Sequence, residues 1–298
     1  MRPFTEKQKY LIALGDRLTT QLGEEVEKAI GIQQLAFESK RHYYITSGPG
    51  AGKTFTVHNT CAKHKIKPII IQGVSSLNAM AIMLATAQYL QPTGNIIVWV
   101  DDCDSIFVDS TALNVMKGVL DDDRNIFAWN KNMSTQINGF MKSDNPNDQI
   151  KGEALQSCQP VGSVGIEIPT DRMRFIITSN RSLIAPNDKK LKGRPAQKLV
   201  DESAIRDRVN YKQLTTDSEE LWGWLASTLL NSTLITTDDV SANNTITTDE
   251  ARDLLIWMNS NWENLTGVSM RTVKDLVAAM KNHPTDYIDR WEDAFLIK

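Results

Sequence analysis

Residues 47–54 read Ser-Gly-Pro-Gly-Ala-Gly-Lys-Thr and follow directly on the β-forming run His42–Thr46. A glycine-rich loop between a strand and a helix turns several backbone N–H groups into one concavity, and glycine tolerates the dihedrals this needs. The helix opening behind it adds unpaired N–H groups and the positive end of its dipole. The chemistry this suits is binding of a triphosphate. Gly48, Pro49, Gly50, Ala51, Gly52 and Phe55 form the cradle, Lys53 reaches the β- and γ-phosphates, and the Thr54 hydroxyl ligates Mg²⁺. The pattern G-x-x-x-x-G-K-[ST] is met except at its first glycine, where Ser47 stands.

Three further residues sit where apolar runs end. Asn95–Asp102 (NIIVWVDD) closes on two carboxylates, and Arg174–Asn180 (RFIITSN) closes on an amide. In a parallel sheet the carboxyl ends of the strands share one edge, and ligands bind there. On that edge Asp101 is placed to hold Mg²⁺, and Asp102 to orient or deprotonate an attacking water, with Asp104 in support. Asn180 is placed to hold that water beside the terminal phosphate. Two arginine segments complete the set: Ala204–Val209 (AIRDRV), with Arg206 and Arg208, and Gly267–Leu276 (GVSMRTVKDL), with Arg271. A guanidinium stays charged and its planar fork suits a transferring phosphoryl group. On spacing alone, a surface ion pair is the favoured explanation of each arginine.

The elements that must position these groups follow from periodicity. Thr5–Ile30 carries apolar residues at helical spacing. Ile66–Gln72, Asn95–Asp102, Arg174–Asn180 and the shorter Val209–Leu214 are strands, and Thr54–His64, Ser76–Leu90 and Thr111–Leu120 are helices between them. Continuous apolar strands alternating with helices predict an α/β fold with a parallel sheet covered on both faces. From Asp217 onward only helices are expected (Glu219–Leu230, Thr248–Trp262, Ser269–His283, Thr285–Leu296), with 231–248 a loop and five tryptophans packed as core. The expected organisation is an N-terminal helical segment (1–30), an αβα core (31–215) and a helical region (216–298). Residues 131–163 form a polar excursion between two short extended segments, read either as a projecting hairpin or loop or as a disordered surface loop. Lys189, Lys190, Lys192, Arg194 and Lys198 form a basic loop; such a run is usually a solvated face, but it is the best local candidate for contact with a nucleic-acid backbone.

The chain has 298 residues, 41% hydrophobic and 23% charged, with a net charge of −3, so composition supplies no global case for nucleic-acid binding. Cys61, Cys103 and Cys158 lack metal-ligand spacing and read as reduced thiols. The first residues lack a signal-peptide core and no run reaches membrane-spanning length, so a soluble, cytoplasmic protein without a membrane partner is expected.

Taken in order, the motifs resemble those of the AAA+ ATPase family. SGPGAGKT resembles the Walker A loop, IIVWVDD the Walker B strand, FIITSN sensor 1, AIRDRV the arginine-finger segment and GVSMRTV sensor 2. The resemblance spans residues 43–280, most of the chain. It implies a five-stranded parallel αβα core followed by a small all-helical lid, with ATP and Mg²⁺ as ligands. It implies catalytic roles for Lys53, Asp102, Asn180 and Arg208. Arg208 would act on a neighbouring subunit's nucleotide and Arg271 on its own subunit's, within a homo-oligomeric ring or helix, hexameric or similar. The spacing before the sensor strand resembles ATPases of bacteriophages and plasmids, which points to remodelling of nucleic acid or of a nucleic-acid-bound replication complex. The family usually carries Glu where this chain has Asp102; the shorter side chain points to slow hydrolysis, and hence to an alternative as an ATP-gated scaffold, loader or protein-remodelling chaperone. A small-molecule kinase would leave AIRDRV and Arg271 without a purpose.

Overall fold

The runs HYYIT, IKPIIIQ, NIIVWVDD, RFIITSN and VNYKQL, read as strands from their residues, each lie largely in one. The computed structural model describes residues 3–31, 41–73, 76–107, 109–183, 196–214, 218–231, 246–265 and 268–296. Five strands, β1 (Tyr43–Ser47), β2 (Ile69–Gln72), β3 (Ile96–Asp101), β6 (Met173–Ser179) and β7 (Asn210–Leu214), form one sheet in the order β2-β3-β6-β1-β7, with every pairing parallel. The fold is therefore α/β, as the alternation of strand and helix patterns requires.

By contacts the chain falls into two units. The first comprises Glu25–Ser47 and Val57–Leu214. Here one face of the sheet presents Tyr44, Ile71, Val98, Val100, Phe175 and Ile177. They share a core with Met80 and Leu84 of α3 (Leu77–Leu90) and with Leu113 and Met116 of α4 (Ser110–Val119). Side chains alternate across a strand, so Ile97, Trp99 and Asp101 stand on the opposite face. The helices start at genuine caps: Ser76 accepts from Ala79 N–H in α3, and Asp109 from Ala112 N–H in α4. The sequence Ala196–Arg208 is α7, which leads into β7.

Residues 131–163 differ from both expectations. The flanking segments are extended, β4 (Ile126–Trp129) and β5 (Ile166–Pro169), and pair antiparallel with Phe127 opposite Ile168. Between them, however, the chain forms two helices, α5 (Ser134–Met141) and α6 (Pro146–Ser157). The physical reason is local and tertiary together. Asn145 caps α6 by accepting from Asn147 N–H at 2.9 Å, and Pro146 fills its first position. Ile137, Ala154 and Leu155 are then fully buried in the main core. Gly152 lets the two helices touch, since a Cβ there would lie 2.9 Å from the Met141 side chain. Five buried residues in 33 (Met133, Ile137, Gly152, Ala154 and Leu155) are too few to show as a period.

The second unit comprises Met1–Glu24, Gly48–Thr56 and Thr215–Lys298. Helix α1 (Glu6–Ala29) contributes its first five turns and meets α8 (Ser218–Asn231) at a glycine pair. A Cβ on Gly15 would lie 2.2 Å from Gly223 O, and one on Gly223 would lie 2.2 Å from Leu11 O. Helices α9 (Thr248–Ser260), α10 (Met270–Asn282) and α11 (Tyr287–Phe295) complete this unit. A Thr247–Glu250 capping box starts α9, and Glu250 ties it to α10 through Lys281 at 2.7 Å. The tryptophans form its core: Trp222, Trp224 and Trp291 are fully buried, and Trp291 Nε1 donates to Leu276 O at 2.8 Å. The expected loop over 231–248 falls largely on 232–245, outside the described residues, as do Lys189, Lys190, Lys192 and Arg194. Lys198, expected in the same basic loop, belongs to α7.

Candidate functional site

Because the main sheet is parallel throughout, the ends of β1, β3 and β6 lie on one edge. The register places Gln72 opposite Asp101, Asp101 opposite Thr178, and Thr178 opposite Ile45, a single row across four strands. Asp101 ends β3 and is buried. Its Oδ1 accepts from the Thr178 hydroxyl at 2.6 Å and its Oδ2 from Gln72 Nε2 at 3.3 Å. A buried carboxylate without such donors would be costly, and a hydrogen bond to a charged group contributes about 1.5–3 kcal/mol. Gln72 lies in no motif, and Thr178 lies within FIITSN without being singled out there. The signal that finds them is register: a polar residue in an otherwise apolar strand, opposite the acidic strand end.

The next residue breaks the strand. Asp102 has φ +51, a left-handed conformation rare outside glycine that costs on the order of 1–2 kcal/mol. Its backbone N–H still pairs with Thr178 O at 3.1 Å, and the turn brings its exposed carboxylate to Asn180, whose Nδ2 donates to Oδ1 at 3.1 Å. Asn180 is itself held on both sides. Ser179 donates to Asp104 and accepts from Arg181 N–H, while the Tyr44 hydroxyl donates to Arg181 O at 2.9 Å. Burial pushes the Tyr44 phenol up, so it stays a donor. Arg181 in turn pairs with buried Glu202. Asp101, Asp102, Asp104 and Asn180, singled out from sequence, thus lie on the one edge at which β1 hands the chain to the glycine loop.

The loop belongs to the second unit. Gly50 (φ +84) and Gly52 (φ +73) use dihedrals that side chains rarely adopt. A Cβ on Gly52 would lie 2.1 Å from the Trp224 indole, and one on Gly50 would lie 3.1 Å from Val268 O and 3.2 Å from Ser269 Cα. Lys53 opens α2 (Lys53–Lys63), is buried, and donates from Nζ to Gly48 O at 3.1 Å, so the loop wraps its own lysine. Thr54 is exposed at the next position, and Gly48 and Pro49 are exposed at the mouth of the loop. Ala51 is buried and Phe55 half-buried. Ser269, which packs on Gly50, caps α10 by accepting from Thr272 N–H. Arg271 is exposed in the first turn of that helix, two residues beyond the contact with the loop. Gly267 lies outside the described residues.

The remaining arginines are engaged within the chain. Arg208 Nε and Nη2 donate to Asp121 Oδ2 at 3.1 and 3.0 Å, and Nη1 donates to Ala204 O. Burial opposes ionisation of Asp121, but hydrogen bonds from Arg208 and from the Arg124 and Asp123 N–H groups outweigh it and hold the carboxyl below its usual range. Arg206 donates to Leu183 O at 3.0 Å and stacks on Tyr211 at 4.1 Å. Both lie at the end of α7, just before β7 begins, on the edge of the sheet opposite Asp101.

Among the described residues no group of three or more His, Cys, Asp or Glu side chains is arranged to hold a metal. Mg²⁺ at a nucleotide keeps several waters and takes one or two protein oxygens beside the phosphates, so it needs no such group. Asp101 supplies carboxylate oxygen of that kind at the end of β3, held in place by Thr178 and Gln72. Among the described residues no helix is long and apolar enough to cross a membrane. None of the three cysteines is in a disulfide, and burial pushes the Cys61 and Cys158 thiols up. A scan against protein-family models matches no family, and no curated protein matches the chain.

Proposed function

We propose that this chain is an ATP-binding and ATP-hydrolysing protein of the AAA+ type, working as a homo-oligomer with Mg²⁺ and remodelling nucleic acid or a protein complex bound to it. One observation carries the reading. A five-stranded parallel sheet hands β1 into SGPGAGKT at the same edge where β3 ends in Asp101, followed by Asp102, and β6 ends just before Asn180. In this reading Lys53 and the loop N–H groups hold the triphosphate. Thr54 and Asp101 hold Mg²⁺, which screens the phosphate charge when bound. Asp102 takes the proton of the attacking water, and Asn180 fixes that water. Arg271 stands on the helix whose cap packs on Gly50, so it serves the nucleotide of its own chain.

Arg208 fits a role in trans through its place in the fold. It stands at the opposite edge of the sheet from Asp101, so it meets a nucleotide edge only in a head-to-tail contact with another copy, which generates a ring or a helix. In that contact it would exchange Asp121 for phosphate.

The test is the rate of ATP hydrolysis per chain against protein concentration, with and without single- and double-stranded DNA. We expect a rate that rises with concentration, and stimulation by DNA that falls as salt rises. A concentration-independent rate would remove the trans arginine, and phosphate transferred to an added acceptor would replace the reading by a kinase. Indifference to DNA would favour the second reading, an ATP-gated scaffold or protein remodeller, which the short Asp102 side chain and its bond to Asn180 also favour.

A further inference from the structure

Asp101 is the only residue of its row whose carboxylate is gripped at both oxygens, and the tighter grip comes from a side chain that is itself oriented. Trp99 and Asp101 stand two residues apart on one face of β3, and Thr178 lies opposite Asp101 on β6. Trp99 Nε1 donates to Thr178 Oγ1 at 2.9 Å, and all three side chains are buried. A threonine hydroxyl has one proton and two lone pairs. With one lone pair occupied by the indole N–H, the proton has two acceptors in reach: Asp101 Oδ1 at 2.6 Å and Val100 O at 3.5 Å. The shorter bond to a charged acceptor wins by a wide margin. The indole therefore sets the hydroxyl, and the hydroxyl sets the carboxylate.

We infer that Thr178, oriented by Trp99, is a positioning residue that fixes the Asp101 carboxylate for a metal–nucleotide complex. The inference rests on the reading of Asp101 as a Mg²⁺ partner. Outer groups that orient a metal-binding carboxylate change affinity for the metal about 10- to 100-fold when removed. Gln72 is the weaker holder, since its bond to Oδ2 is 3.3 Å long. A purely structural role for the Trp99–Thr178 pair would instead appear as lost stability with unaltered metal binding.

The experiment uses Mn²⁺ as a spectroscopic stand-in for Mg²⁺. Its affinity is measured by electron paramagnetic resonance in the presence of a non-hydrolysable ATP analogue. Metal-free binding of the same analogue is measured separately in chelator. Three variants are compared with the wild type. Thr178→Val keeps the shape and removes the hydroxyl, Thr178→Ser keeps the hydroxyl, and Trp99→Phe keeps an aromatic ring, though a smaller one, and removes the N–H. We expect Thr178→Val to weaken Mn²⁺ binding about 10-fold or more and Trp99→Phe to weaken it by a smaller factor. Thr178→Ser should stay within about threefold of wild type, and metal-free analogue binding should be unchanged throughout. Wild-type Mn²⁺ affinity in a folded Thr178→Val protein overturns the inference while leaving the proposed function standing. If Thr178→Val does not fold, Trp99→Phe decides: an unchanged affinity overturns the inference. No nucleotide-dependent Mn²⁺ binding by the wild type removes both readings at once.

Discussion

The Asn180 amide lies 3.1 Å from the Asp102 carboxylate, and Asp102 reaches it only because its backbone turns to φ +51 at the end of β3. The pair joins two strand ends of one sheet edge through side chains that a water and a terminal phosphate would both contact. Asn180→Ala should lower kcat for ATP about 100-fold while leaving nucleotide affinity within a few-fold, as loss of a group aimed at a developing charge does. Steady-state hydrolysis and equilibrium binding of a fluorescent ATP analogue separate the two effects. An equal loss of affinity would make Asn180 a ground-state contact instead.

Asp102→Asn removes the only proton acceptor assigned to the water yet preserves the bond geometry to Asn180. ATP should bind and persist unhydrolysed, with turnover reduced on the order of 100-fold or more. Trapping of radiolabelled ATP on the purified variant checks this. Residual hydrolysis near the wild-type rate would move the role to another carboxylate, Asp104 being the nearest in sequence.

Gly52→Ala meets two obstacles at once. Its backbone is left-handed at φ +73, and the new methyl group would lie 2.1 Å from the Trp224 ring. Nucleotide binding should be lost, and the second unit should unfold at lower temperature. The pairing Gly52→Ala with Trp224→Ala relieves the clash but keeps the backbone cost of about 1–2 kcal/mol, so it should melt somewhat below Trp224→Ala alone, which already loses about 3–5 kcal/mol with the buried indole. Thermal melts of the single and double variants test the order.

The Arg208–Asp121 pair makes an oligomeric assay decisive. Arg208→Ala keeps its own phosphate loop and lacks the arginine, while Lys53→Ala keeps the arginine and lacks the loop lysine. Each alone should be nearly inactive, since an arginine supplied to a transferring phosphate contributes about a thousandfold or more. Mixing the two should restore a measurable fraction of wild-type activity. No recovery on mixing, with both variants folded and associated, would assign Arg208 to its ion pair with Asp121 alone.

His42 is buried beside Phe175, whose N–H donates to its Nδ1 at 3.2 Å. Burial first, and then the Arg41 and Arg174 charges, push its pKa down from 6.5 to about 3. The folded state therefore binds fewer protons than the unfolded state between those values. Its contribution is fully present above pH 6.5 and is lost as pH falls toward about 3, at up to about 1.4 kcal/mol per pH unit. Urea titrations at pH 7, 6, 5 and 4 should show the wild type losing stability more steeply than His42→Asn. Parallel curves would contradict the assignment.

Much of the fold is legible in the residues because local patterns and tertiary demands agree. The continuous apolar runs of β1, β3 and β6 are what a strand buried on both faces needs, and the helices between them start at Ser76 and Asp109, side chains that cap helices by their chemistry. Residues 131–163 were opaque for the converse reason. Helices α5 and α6 bury only a few side chains, and their stability comes from the core they pack on. The site shows the same division. Gly50, Gly52, Lys53, Thr54, Asp101, Asp102 and Asn180 are marked by type and by place at the ends of runs. Gln72, Trp99, Thr178 and Trp224 are ordinary core or strand residues until register or packing puts them next to those groups.

The sequence by itself determined which residues have the chemistry for a triphosphate and the order in which strands and helices present them, because residue type and periodicity are local properties. Only the tertiary structure decided the order β2-β3-β6-β1-β7, which sets Asp101 against Thr178, and the packing that seats Trp224 on Gly52. It also decided that Arg208 closes on Asp121 within its own chain. Strand order, register and ion-pair choice are contacts between residues far apart in the chain, fixed by which burial and pairing satisfy every element at once, and no local pattern encodes them.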